Sequence, residues 1–215
     1  MKYLSKMLLS AALTLSLVPA HAGLITSSPG GTTTTFPGGP FNPGCGGASS
    51  AVVAGFSITS GGNWCHDYSD GWGFLANGFW GTGFGLVGDN NSGGPITINL
   101  GGLYSVVGGF MNYAPELGTA VITALAADGI TVLESYDLVS AAPISTPSSS
   151  NAGAFRGIQR GSADIRYLRF GGSAMAMHDI TLDGGVSGVP EPSTLSMLGA
   201  AALATVLVRR RSARG

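Results

Sequence analysis

The sequence predicts an all-β domain, a β-sandwich of jelly-roll type, set between two apolar terminal segments. Three observations predict it. Short β-prone runs recur between clusters of turn residues, the rhythm of a sandwich or barrel. Glycine is abundant throughout, at 36 of 215 residues. Long helical periodicity is absent before residue 193.

Taken in order, the first clear strand is Ala51 to Thr59. Trp72 to Trp80 follows, aromatic but laced with glycine. Pro95 to Leu100 alternates cleanly, which turns Ile96, Ile98 and Leu100 inward. Leu103 to Tyr113 contains Gly108-Gly109, the mark of a bulge or a close backbone approach. Thr119 to Ala126 and Ile130 to Leu138 flank Asp128-Gly129, a hairpin signal of the primed-turn kind. Ala141 to Asn151, with Pro143 and Pro147, reads as a loop. Phe155 to Gln159, Asp164 to Phe170 and Ala174 to Asp183 complete a set of about nine strands. In the last, Ile180 and Leu182 are expected to face the core while Asp179, Thr181 and Asp183 face out. The stretch Gly23 to Gly47 offers little to bury, so residues 23–50 are assigned to a Gly/Pro/Thr-rich arm and 51–187 to the sandwich.

Residues 1–22 have the three parts of a secretory signal: Lys2 and Lys6, an apolar run from Met7 to Val18, and Ala20 and Ala22 at the small-residue positions. The run is too short to favour a permanent span, which needs ~20 residues. Signal peptidase is expected to cut after Ala22; an N-terminal anchor helix is the alternative. Residues 188–215 also have three parts: Val189-Pro190-Glu191-Pro192, an apolar run from Leu195 to Val208, and Arg209-Arg210-Arg211. Pro192 is well placed just before a helix starts. One C-terminal transmembrane helix is expected there, ~21 to 24 Å long against a ~30 Å hydrocarbon core. The arginines lengthen its reach by snorkelling and act as a membrane stop on the cytoplasmic side. The preceding domain then lies outside the inner membrane.

The order and terminal position of these three parts resemble the PEP-CTERM sorting domain of Gram-negative bacteria. The resemblance implies recognition by exosortase, a membrane-embedded, cysteine transpeptidase-like enzyme. It implies a cut near Pro-Glu-Pro and passage of the protein to the cell surface or to extracellular polymer. A plain C-terminal anchor is the alternative. The run from Val106 to Gly184 is also similar, in strand rhythm, to the galactose-binding-like or related jelly-roll ectodomains that often precede this signal.

Charge narrows the partners. Six of the ten basic residues lie in the two terminal signals. The domain between them keeps Arg156, Arg160, Arg166 and Arg169 against ten acidic residues, a net of minus six, and has no lysine. Such a surface excludes nucleic acid or anionic lipid as a bulk-charge partner. The four arginines form either a local basic patch or a solvated strand face.

Chemistry-bearing motifs are few. Cys45 and Cys65 are the cysteines of an exported chain and are expected to form a disulfide, worth on the order of 3 kcal/mol in the chain-entropy model. Two thiols are the alternative. His66-Asp67 and His178-Asp179 are adjacent in sequence, which on a strand sends the side chains to opposite faces. No nucleophile elbow and no zinc-protease motif is present, and Glu116 and Glu134 are the only glutamates in the domain. No catalytic residue is assigned, no cofactor is expected, and the protein is read as a non-enzyme. Jelly-roll domains often carry structural calcium, and Asp89, Asn90 and Asn91 supply oxygen ligands in a glycine-rich loop. An Asx-type turn is the alternative. Trp64, Tyr68, Trp72, Phe74, Phe79 and Trp80 crowd into seventeen residues. Exposed rings there would stack on sugars, making Trp64, Tyr68, Trp72 and Trp80 a carbohydrate-binding face; a buried core cluster is the alternative.

The leading expectation is therefore a surface or matrix protein handled by signal peptidase and exosortase, anchored in the inner membrane before processing and associated with exopolysaccharide. A carbohydrate-binding module built on the aromatic segment comes second, and a polysaccharide-active enzyme third.

Overall fold

A computed structural model describes residues 22–37, 49–62, 64–66, 72–81, 85–90, 94–146, 150–151 and 153–185. The terminal signals, including Val189 to Pro192 and Arg209 to Arg211, lie outside the described residues, as do Cys45, Tyr68 and Asn91. Among the described residues, no helix is long and apolar enough to cross a membrane.

The first strands are β1 (Gly23–Ile25), β2 (Thr32–Thr35), β3 (Ser49–Val53), β4 (Phe56–Ser60) and β5 (Trp64–His66). Then come β6 (Phe79–Trp80), β7 (Val87–Asp89), β8 (Ile96–Tyr104), β9 (Val106–Asn112), β10 (Val121–Leu125) and β11 (Val132–Asp137). A single helical turn, α1 (Leu138–Ala141), precedes β12 (Ser150–Asn151), β13 (Ala154–Gln159), β14 (Ile165–Gly171), β15 (Ala176–Met177) and β16 (Asp179–Asp183). The expected all-β class holds, with almost no helix. One sheet runs β1-β13-β9-β15-β7-β5, with β16 bridging β9 to β2. The other runs β11-β10-β14-β8-β4-β3. Every pairing within these two sheets is antiparallel.

The sheets share one core. Ile58, Ile96, Ile98, Ile122, Leu168 and Phe170 from the six-stranded sheet belong to the same buried cluster as Val107, Met111, Ile158, Met177 and Ile180 from the eight-stranded one. The expected inward set Ile96, Ile98 and Leu100 is buried as the alternation requires. Gly108 and Gly109 mark a close approach: a Cβ on Gly109 would lie 2.1 Å from the Asp179 carbonyl oxygen.

Five expectations need correction. Ala51 to Thr59 is not one strand but spans the hairpin β3–β4, and of Trp72 to Trp80 only Phe79–Trp80 is a strand, after a 3-10 turn at Leu75–Asn77. Of the expected arm, residues 23–37 do not stand apart from the sandwich. β1 pairs with β13, and the Thr32–Thr35 tract pairs with β16. Phe36 is fully buried in the shared core, and Thr33 and Thr181 join hydroxyls at 2.9 Å. That pairing covers the last strand, so Asp179 and Thr181 are buried and only Asp183 of the expected outer set is exposed. The turn at Asp128-Gly129 is not primed, because Gly129 alone has a positive φ (71°) and a primed type I turn needs two. Asp128 instead accepts from the backbone N–H groups of Ile130 and Thr131. The two-residue turn with both φ values positive is Ala54-Gly55, between β3 and β4.

Candidate functional site

The tryptophans do not make a face. Trp64 and Trp80 are 1% and 0% exposed and Trp72 is 8% exposed. Trp72 and Trp80 pack with Cys65, Phe74, Leu86 and Ala176 in a second buried cluster, and Trp64 joins the main core. Phe74 meets Trp80 edge-on at 5.5 Å between ring centroids, and the Trp72 Nε1–H donates to the Ala174 carbonyl at 3.0 Å. Rings held this way have no exposed flank on which a sugar could stack, so of the two readings the core holds for Trp64, Trp72 and Trp80, while Tyr68 lies outside the described residues. Among the described residues no cysteine is a free thiol, and Cys65 is fully buried.

The polar chemistry gathers on the outer face of the six-stranded sheet. Strand alternation that turns Ile122, Ala124, Leu168, Phe170 and Ile98 inward turns their neighbours outward. The register sets Ser135, Thr123, Arg169, Thr97, Thr59 and Ser50 in one row across six strands. Every member except Arg169 carries a hydroxyl. Thr123 and Ser135 join theirs at 2.9 Å. Arg169 is half-buried and, among the described residues, makes no ion pair or side-chain hydrogen bond. Arg156, by contrast, is buried on three carbonyl oxygens, those of Ala142, Phe155 and Pro143. Arg160 is forked onto Asp164 and reaches Glu134 at 2.9 Å. Arg156 and Arg160 are thus engaged within the protein and do not contribute to a basic patch.

Next to this row lies a cavity of about 370 Å³, lined by Asp89, Thr119, Thr123, Ser135 and Arg169, by the apolar Pro95, Val121 and Phe170, and by Gly171 and Gly172. Asp89 ends β7 and is 2% exposed. Its Oδ2 accepts from the Gly172 N–H at 2.9 Å, while its Oδ1 has no hydrogen-bond partner among the described residues. Burial pushes this carboxyl above its ordinary value, and the Gly172 N–H pulls the other way. The turn that closes over Asp89 is conformationally costly. Gly172, Ser173 and Ala174 have φ of 88°, 53° and 52°, and the last two pay the left-handed penalty of L-residues. Glycine is needed at 172, where a Cβ would sit 2.2 Å from the Thr119 carbonyl oxygen. The Asp89 N–H donates to the Met175 carbonyl and the Ser173 hydroxyl to that of Thr119.

The remaining candidates are scattered. His178 Nδ1 lies 2.9 Å from the Gly85 carbonyl oxygen, and Asp179 accepts from the Phe110 N–H. Glu116 accepts from the Ala76 N–H, and Glu134 binds Arg160 and the Tyr136 hydroxyl. No group of three or more His, Cys, Asp or Glu side chains is placed to hold a metal ion among the described residues. Of the calcium candidates, Asp89 lines the cavity and Asn90 follows it, exposed. Sequence reasoning named Arg169 only as one of four arginines and missed Thr119, Thr123 and Ser135. The usable signal was a polar residue between two apolar ones, as in Leu168-Arg169-Phe170 and Ile122-Thr123-Ala124.

No curated relative and no solved structure matches the chain. Residues 188–211 match the family described as PEP-CTERM protein-sorting motif. The chain therefore carries a PEP-CTERM sorting signal, the mark of an exported protein held in the membrane until exosortase cuts it.

Proposed function

We propose that the chain is a non-enzymatic surface or matrix protein of a Gram-negative bacterium, associated with exopolysaccharide. The observation that carries this reading is the sorting motif at residues 188–211. The three-part N-terminal signal supports it, with signal peptidase cutting after Ala22. So does the acidic, lysine-free composition of the domain, which suits a partner other than nucleic acid. The domain is a jelly-roll sandwich, with Cys45 joined to Cys65.

Mass spectrometry of the mature protein tests the handling. The expected chain begins at Gly23 and ends near Pro190. Changing Pro190, Glu191 and Pro192 together to Ala should leave uncut protein in the inner membrane. A variant that still reaches the surface at its normal mass refutes exosortase processing. Co-sedimentation of the wild-type protein with its producer's extracellular polymer tests the association.

A further inference from the structure

We infer that the cavity between Asp89 and Arg169 binds a neutral, hydroxyl-rich saccharide unit, and that the protein holds polysaccharide there and not on its tryptophans. The inference rests on the exopolysaccharide reading and gives it a site.

Three observations meet at this place. The first is the carboxylate. Asp89 is 98% buried by its 2% exposure, and it lines the cavity. The described residues satisfy Oδ2 through Gly172 and leave Oδ1 without a donor. Buried polar atoms are almost always paired, so an orphan in a cavity wall calls for a donor from outside. The second is Arg169, which brings up to five N–H donors to the same wall and spends none on the described residues. The third is the turn Gly172-Ser173-Ala174, with two consecutive left-handed L-residues closing over Asp89. Strain of this sort persists only where the surroundings hold it, and it clusters at ligand sites.

The ligand class follows from the charges. One carboxylate and one guanidinium leave the cavity with no net charge, so it favours neither a free anion nor a free cation. The guest must donate to Oδ1 and accept from the guanidinium. A sugar's paired hydroxyls do both, and the Thr119, Thr123 and Ser135 hydroxyls can answer in either role. The volume of about 370 Å³ falls within the ordinary range of small-ligand sites, about 300–1,000 Å³. The face also continues beyond the cavity. Tyr167 lies two residues from Arg169 on the same side of β14, and Thr97 and Thr59 extend the hydroxyl row. One sugar can therefore be seated while its polymer runs over the sheet.

The test is calorimetric titration of the full-length protein in detergent with neutral gluco-, galacto- and manno-oligosaccharides. Uronic-acid oligomers, free alanine and calcium chloride are the comparison probes. A neutral oligosaccharide is expected to bind, and Asp89→Asn and Arg169→Gln are each expected to weaken it about tenfold or more. Circular dichroism and melting of both variants check that they fold. Arg169, which holds no partner among the described residues, keeps the test meaningful even if the Asp89 variant is unstable. Binding that is equal in folded variants and wild type overturns the inference. So does a response confined to uronic acid, alanine or calcium, or no binding at all. Co-sedimentation separates this failure from that of the wider reading. If wild type and both variants all sediment with the polymer, the cavity is the wrong site and the reading stands. If the wild type does not sediment with polymer, the reading itself fails.

Discussion

Replacing Trp80 by Ala distinguishes a core from a binding face by its effect on stability. The Trp80 side chain has no exposed surface and packs edge-on against Phe74. Truncating a ring so placed costs about 3–5 kcal/mol from lost transfer and cavity terms. For a chain of this size each kcal/mol lowers the melting temperature by about 2–4 °C, so a fall of about 6–20 °C is expected. Phenylalanine variants refine the test. Trp72→Phe removes the donor to the buried Ala174 carbonyl, which adds about 1–3 kcal/mol to the loss of ring volume. Trp80→Phe removes an Nε1–H that has no partner, and losing a buried orphan donor offsets part of the truncation. Trp72→Phe should therefore cost more than Trp80→Phe. Urea unfolding followed by far-UV circular dichroism measures all three. A Trp80→Ala variant within about 1 kcal/mol of wild type that has lost polymer binding would show that the rings are a sugar face after all.

Three further outcomes are expected. Burial raises the Asp89 carboxyl above its ordinary 3.8, so its contribution to stability is fully present below 3.8 and is lost as pH rises through the raised value. The melting temperature of Asp89→Asn, relative to wild type, should thus rise as pH rises above 3.8 through the raised value, and a constant difference refutes this. Arg160→Ala breaks a partly exposed network with Asp164 and Glu134 and should cost about 1 kcal/mol, less in high salt. Arg160 holds the Asp164 carboxyl below 3.8, a contribution present above 3.8 and lost as pH falls through the lowered value, so acid unfolding of the variant should be shallower. Finally, unreduced protein should take up no thiol reagent at Cys45 or Cys65. Reduction should expose both and cost on the order of 3 kcal/mol, and labelling before reduction refutes the pairing.

What was legible in the sequence was what a single strand records. Ile96, Ile98 and Leu100 alternate against the core because a strand buried on one side must. Gly108-Gly109 announced a close approach because no side chain fits there. What was illegible depended on partners far along the chain. The Thr32–Thr35 tract looks unable to bury anything until β16 lies beside it, and that same pairing buries Thr181. Arg169 reads with the other three arginines as a basic patch or a solvated face, and nothing local shows that Asp89 closes on Gly172, 83 residues away. Asp89 was named, but with its sequence neighbours for company. The dense aromatic run fits a sugar-stacking surface or a core equally, because density alone does not say which way rings point.

The aromatic run and the cavity are nonetheless one construction. β7 carries Gly88 and Asp89 side by side, and alternation sends them to opposite faces. On one side, the missing side chain of Gly88 admits the Trp72 ring, whose Cζ2 would lie 3.0 Å from a Cβ there. On the other, Asp89 meets Gly172. Trp72 then reaches the Ala174 carbonyl, the last residue of the left-handed turn. The turn is therefore held at one end by Asp89 and at the other by a tryptophan that never touches the cavity. By this geometry Trp72→Phe should loosen the turn over Asp89 as well as lower stability. If the cavity binds saccharide, that variant should lose affinity although its ring is absent from the cavity wall. A Trp72→Phe protein that binds as tightly as wild type would separate the aromatic core from the site, and would leave the strain at Ser173 and Ala174 without this support.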